Sequence, residues 1–523
     1  MHPTPPAMTP AAMTEGRRQL ITACVVLATS LQAIDGTIAN VALPYMQASI
    51  SASQEEINWV LTSYIVAAAV MTAPTGFLAA RFGRTRFFVI AITGFTIASA
   101  LCGLSQSLMQ IVICRLLQGA FGAALVPLSQ AVLFDIYPLE RRGPAMALWS
   151  MGSTLGPVVG PMLGGWLTEN ISWRWVFYIN IPVGIFAGLG LLFFLHETPH
   201  NQKAKLDWTG FLALSIAIGA FQAMLDRGEM LNWFSSYEIA AEACIAGLGL
   251  YIFAVQSALA PKPFLTLSLF TDVNFLIGLV FIFVMGSVMF ATLALLAPYL
   301  QDMMNYPVIT AGIYLAPRGI GTIFGLILCG RLMTRNVNVR LLMAIGLLAG
   351  SYALYMTMHW TPDTSPHSII IAGILQGFSF GFFYVPLATT SFSTLPAHLR
   401  TEAAGIFALM RNLGSSIAIS VTGALLVANS QVNHAILAAR ITPFDRILQT
   451  GAAQQLLNPA TAQGAALLDA AINQQATIIA YNDDFKLLLI VSIAAIPLLL
   501  FIRTPDIVTV QTAHAGDAQP EPA

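Results

Sequence analysis

Fourteen apolar runs of about 20 residues each, spread along a 523-residue chain, leave very few ways to fold. They are centred near residues 31, 68, 97, 121, 155, 185, 216, 248, 286, 321, 349, 381, 415 and 494. A run of that length crosses the hydrocarbon core of a bilayer only as a helix, because lipid offers its peptide groups no hydrogen bonds. Composition agrees: 57% of residues are hydrophobic and 9% charged, against about 25% charged in soluble domains. The expected fold is an all-α integral membrane protein with 14 transmembrane helices. A net charge of −1 gives no basic surface for nucleic acid.

Placing the N-terminus in the cytoplasm puts 15 of the 23 Lys and Arg on that side, five outside and three (Arg115, Arg318, Arg411) within spans. Cytoplasmic loops carry such an excess, so both termini are expected in the cytoplasm. Arg17 and Arg18 read as the cytoplasmic flank of a retained first helix. The five cysteines all fall in apolar runs without a CxxC pair and read as small buried hydrophobes.

Two distant stretches match in spacing. Pro138, Arg142 and Gly156 in "YPLERRGPAMALWSMGSTLG" recur as Pro396, Arg400 and Gly414 in "LPAHLRTEAAGIFALMRNLG", each offset by 258 residues. "LLQG…VP" likewise echoes as "ILQG…VP". The copies lie eight spans apart, which predicts two parallel six-helix bundles with two inserted helices between them. Parallel repeats that handle substrate at their interface suit a secondary transporter. The expected division is a tail over 1–18, a first bundle over 19–200, inserted helices over 201–262, a second bundle over 263–505 and a tail over 506–523.

Asp35 stands inside the first span. An ionised aspartate facing lipid at a helix centre costs roughly 2.5–3.5 kcal/mol. Facing a water-filled cavity between bundles instead, it can bind and release a proton. Arg115, in the fourth span with Gln118 one turn on, can tune such a carboxylate. These two are the proton-coupling candidates; the alternative readings are an anchor near the outer boundary for Asp35 and a structural bond to carbonyls for Arg115. Gln32, Asn40, Gln118, Glu238, Glu242, Arg318, Gln376, Tyr384 and Arg411 are candidate cavity groups, with helix-to-helix hydrogen bonds the competing reading for each. In the fifth span Gly152, Gly156, Gly160 and Gly164 recur every fourth residue. They lay a side-chain-free groove for a close neighbour across the bundle interface, with bends expected at Pro157 and Pro161. Gly76, Arg81, Gly83, Arg84 and Asp135 form a candidate cytoplasmic gate of tight turns and ion pairs. No lysine follows a glycine anywhere, so no GxxxxGK[ST] phosphate loop is present and an ion gradient is the expected energy source. "HETPH" (196–200) matches HExxH, but Pro199 breaks the helix that zinc chemistry needs, so no metal is assigned.

Taken in order, "AIDGTIANVALP", "GFLAARFGRTRFF", "RLLQGAFGAALVP", "GSTLGPVVGPMLGG", "SWRWVFYINIPVG", "LDWTGF", "MLDRGEMLNWFSS" and "AGIYLAPRGIG" resemble the major facilitator superfamily. The resemblance, over nearly the whole chain, is to its fourteen-helix drug:proton antiporters of the EmrB/QacA type, and the stretch near Asp226 leans towards the EmrB branch. It implies export of lipophilic or amphipathic compounds across the bacterial inner membrane in exchange for protons. It also implies a span 5 motif that marks exporters, and a periplasmic membrane-fusion adaptor leading to an outer-membrane channel. The family's usual aspartate and lysine in the basic loop are here Ala80 and Thr85, so the charge relay attributed to that aspartate does not carry over. Residues 429–483 form a long polar outer loop, with a helix expected to start at Asn458 and Pro459 and to extend the last span outward. The rival readings are an importer or exporter of one metabolite and a multi-pass membrane enzyme.

Overall fold

The computed structural model describes residues 13–138, 141–197, 207–261, 263–335, 337–396, 399–441, 457 and 461–503. Among them there is no strand. The principal helices are α1 (Glu15–Ile50), α2 (Trp59–Thr72 bent by 59° into Thr75–Phe82), α3 (Arg84–Leu104), α4 (Leu108–Ile136) and α5 (Arg142–Asn170). They continue as α6 (Trp175–Phe194), α7 (Trp208–Arg227), α8 (Tyr237–Leu259), α9 (Val273–Met303) and α10 (Thr310–Thr334). The last four are α11 (Val339–Thr357), α12 (Pro366–Ser391), α13 (Arg400–Arg440) and α14 (Ala462–Phe501). Each expected span centre falls within one of them. Twelve are long and apolar enough to cross a membrane, and the bent α2 makes 13. α5 falls outside that count, although its 29 residues span about 44 Å at 1.5 Å per residue.

Local chemistry sets many of the ends. Asp207, Asp272 and Thr461 accept hydrogen bonds from backbone N–H groups three residues on, capping α7, α9 and α14. Pro74, which has no N–H to give, stands at the bend of α2.

Helices α1–α6 pack on one another, and α9–α14 do the same. Between these halves α7 lies against α2 and α13, and α8 covers α7. The outer face of α8 carries exposed Tyr237, Leu248, Tyr251 and Leu259, a surface made for lipid. Cys244 is exposed on the same helix and Cys114 is half-buried on α4, unlike buried Cys24, Cys102 and Cys329, so the expectation of five buried thiols fails at these two.

The 258-residue repeat is realised in packing. A side chain on Gly156 would strike the backbone of Ala33 in α1, and one on Gly414 would strike Phe283 in α9. Gly119 lies against Tyr64 of α2 in the same way, and Gly377 against Arg318 of α10.

One expectation needs correction. The glycine groove of α5 does not face the other half: Gly152, Gly156, Gly160 and Gly164 all press on α1, between Val26 and Ile38. Small residues permit the closest backbone approach in lipid, and here that approach binds two helices of one half together. α5 meets the other half through a different face, where Pro144 and Ala147 lie on Gly330 of α10. α5 remains helical through Pro157 and Pro161, whose side chains lie outside the described residues. In the stretch 429–483 the expected extension of the last span is met among the described residues, and α13 extends beside it to Arg440. α13 has 41 residues, about 60 Å of helix against a hydrocarbon core of about 30 Å. α13 and α14 therefore continue as a pair, joined by Ser430–Thr477 at 2.9 Å and His434–Asp469 at 3.0 Å. The expected helix start at Asn458 and Pro459 lies outside the described residues.

A methyl group at 156 has only the backbone of α1 to push against, which cannot yield. Gly156→Ala is expected to destabilise the protein by about 1–3 kcal/mol, as overpacking does, and to lower its melting temperature in detergent. Gly247→Ala, where nothing lies within 4 Å, should leave that temperature unchanged or raise it slightly.

Candidate functional site

Asp35 is fully buried inside the first half. One carboxylate oxygen accepts from Arg115 at 2.8 Å; the other accepts from Gln118 and from Asn180, both at 2.8 Å. Arg115 also donates to the Val60 carbonyl at 3.2 Å and to Gln118 Oε1 at 2.9 Å, and Asn180 donates to Ser99 at 2.9 Å. The ring of Tyr64 lies over the guanidinium, its centre 4.1 Å away. Five helices, α1, α2, α3, α4 and α6, thus converge on one buried ion pair. Charge-assisted bonds of this kind are the strong ones, and removing one partner of a buried pair costs about 3–5 kcal/mol.

The expectation that Asp35 faces the cavity is not met. A cavity of about 410 Å³ lies between the halves, walled by α1, α2, α4, α5 and α7 on one side and α9, α12 and α13 on the other. On α1 it is Gln32, Ala33, Gly36 and Thr37 that line it. Asp35 points the other way, into the first half, because the partners that neutralise it are there. Tyr64 both lines the cavity and covers Arg115, so one aromatic ring separates the ion pair from the cavity.

The wall combines apolar surface from Ile65, Met285, Met289, Phe290 and Phe380 with a few polar groups. Gln222 donates to Ser416 at 2.9 Å. Asp226 accepts from Thr62, and Arg411 donates to Asn412 at 3.4 Å while its Nε has no partner. A mixed, mostly apolar wall with a few placed polar groups is the usual form of a small-molecule site.

Towards the loops rich in arginine the cavity is shut. Asp135 of α4 takes Arg84 of α3 and, at 3.5 Å, Arg400 of α13. Phe134 stacks on Phe392 with centroids 4.8 Å apart, and Gln130 donates to the Tyr384 hydroxyl at 2.6 Å. Gly76 lies against Glu402, which accepts from Thr266 at 2.6 and 2.8 Å. Gly83 holds φ +90 at the start of α3, a conformation that other residues avoid. Arg81 lies at the end of the bent arm of α2.

Of the candidate cavity residues, Gln32 and Arg411 stand on the main wall and Gln118 belongs to the Asp35 cluster. Tyr384 is part of the seal below, stacked on Trp149. Asn40 is exposed on α1 away from the cavity, and Glu238 pairs with Arg227 at the start of α8. Glu242 also lies on α8 and lines neither cavity. Arg318 and Gln376 line a second, smaller cavity of about 60 Å³ within the other half. Sequence reasoning missed Tyr64, Asn180, Asp226 and Glu229; an amide at 180 inside an apolar run was the available signal.

The family model described as Major Facilitator Superfamily matches residues 25–419. The fatty acid resistance protein FarB of Neisseria gonorrhoeae is 34% identical over 93% of this chain and 96% of its own. The probable multidrug resistance protein EmrY of Escherichia coli is 33% identical over 95% and 98%, and the multidrug export protein EmrB of the same organism 32% over 93% and 95%. The human organic anion transporter MFSD10 shares the fold, with a TM-score of 0.56 at 13% identity over 91% of this chain and 99% of its own. Repeated halves around a central cavity, a matching family model and similarity over almost the full length agree: this multi-pass membrane protein belongs to the major facilitator superfamily and is a transporter rather than an enzyme.

Proposed function

We propose that this chain exports lipophilic and amphipathic compounds across a bacterial inner membrane in exchange for protons. The observation that carries the reading is a buried carboxylate–guanidinium pair set one aromatic ring behind a cavity between the halves. Relatives named for multidrug export and fatty acid resistance support the substrate class. The excess of Lys and Arg puts both termini and the sealed end in the cytoplasm, so the conformation described is closed on that side. The inferred bundles, 19–200 and 263–505, alternate about the cavity, and the ion pair couples their motion to protons. A proton on Asp35 removes the charge that holds Arg115, and displacement of Tyr64 opens the pair to the cavity. Glu238 and Glu242, on the outlying α8, drop out of this scheme. The gradient supplies roughly 2.3 kcal/mol per charge per 100 mV. The projecting pair of α13 and α14 is the natural landing for a periplasmic adaptor, which would pass cargo to an outer-membrane channel.

In proteoliposomes with an imposed pH gradient, accumulation of a lipophilic dye should disappear when the gradient is collapsed; unchanged accumulation excludes antiport. Asp35→Asn should abolish gradient-driven accumulation and, by stranding Arg115, lower stability by about 3–5 kcal/mol. Adding Arg115→Gln should recover much of that stability without recovering coupling, and full coupling in the double variant would remove the pair from the mechanism. Asp135→Asn removes the acceptor shared by Arg84 and Arg400. It should raise the labelling rate of a cysteine introduced at the sealed end several-fold, measured with a membrane-impermeant maleimide.

A further inference from the structure

The second half contains a counterpart of the Asp35 cluster from which the acid is missing. Gly119 lies on Tyr64 and Gly377 on Arg318, so Gln376 stands where Gln118 stands, 258 residues on, and Arg318 stands in the place of Tyr64. Gly156 lies on Ala33 and Gly414 on Phe283, which puts Met285 in the place of Asp35. Ser492 bonds Ser351 at 3.0 Å, as Asn180 bonds Ser99. The arginine has moved one helix across and the carboxylate has become a thioether.

The consequence is an unsatisfied site. Arg318 Nη1 has no partner, and its Nη2 has only the Met289 carbonyl at 3.4 Å. Gln376 is 8% exposed, yet neither its amide nitrogen nor its oxygen has a partner. No acid lines the cavity of about 60 Å³ into which they open. At about 10–15 Å³ per water on this measure, that space takes about four waters or one carboxylate. A guanidinium cannot shed its proton; Arg318 is partly buried, and its buried Nη1, left without a partner, calls for a counter-charge. Met285, Met289 and Phe380 line both this cavity and the main one, so they form the partition between them.

We propose that this pocket receives the carboxylate of an amphiphilic acid. The headgroup takes the place that Asp35 fills in the first half, bonded by Arg318 and Gln376, and the apolar chain passes Met285 and Phe380 into the main cavity. The proposal names a substrate class within the export reading and rests on that reading for its biological sense. Its test does not, because it reads equilibrium binding without a gradient.

The purified full-length protein in detergent is titrated with radiolabelled dodecanoate and, separately, with dodecyltrimethylammonium, which shares the chain length but carries the opposite charge. Arg318→Gln should lower the ratio of dodecanoate to dodecyltrimethylammonium affinity at least tenfold. Met285→Asp, which restores the acid from within, should do the same by filling the site. Gln376→Leu should lower the ratio several-fold, and a melting curve confirms that each variant is folded. An unchanged ratio in folded Arg318→Gln or Met285→Asp overturns the proposal. So does displacement of dodecanoate by equimolar acetate, which would make the pocket a site for any small anion. Loss of dye export with dodecanoate binding intact would instead count against the export reading alone.

Discussion

A carboxylate buried in a lipid-embedded bundle must be neutralised by its own fold, and much of the first half is arranged to do that. Asp35 is reached by Arg115 and Gln118 from α4 and by Asn180 from α6, while Ser99 of α3 steadies Asn180. Each donor sits on a helix whose backbone is internally bonded, so the cluster fixes the depth and rotation of α1 relative to its neighbours. The tight contact of α1 on the glycine face of α5 fixes the remaining side. Once α1 is set, Gln32, Gly36 and Thr37 must face the centre of the molecule.

Symmetry of packing does not carry over into symmetry of chemistry. Glycines repeat against equivalent carbonyl groups in both halves, because the space between two close helices has no other solution. The polar groups next to them differ. One half has a satisfied acid–base pair, and the other an arginine and a glutamine around an empty corner. In the proposed scheme the first arrangement is the one that exchanges a proton and the second the one that takes a negative charge.

The seal at the basic end shows why the departures at Ala80 and Thr85 are tolerable. Asp135 gathers one arginine from each half, and rings and a glutamine–tyrosine bond close the layer above it. The ion pairs are partly exposed and individually modest, as screened ion pairs are, whereas the rings and the glutamine–tyrosine bond are buried. In the proposed alternation these are the ion pairs that part, in contrast to the fully buried pair of Asp35 and Arg115.

What the chain determined by itself is what depends on neighbours along the sequence. Apolar run length sets the helices, the 258-residue offset sets the two halves, and a charge within an apolar run marks Asp35, Arg115 and Arg318 as special. What the tertiary structure decided is which way those groups point. Helical periodicity places Asp35 and Gln32 less than one turn apart but does not tell which of the two meets water. That depends on Asn180, 145 residues away, and on which helix fills the glycine groove of α5. The partner proved to be α1 rather than the opposite half, because in lipid every face is apolar and periodicity no longer distinguishes inside from outside. Only packing does, and packing is a property of all the helices together.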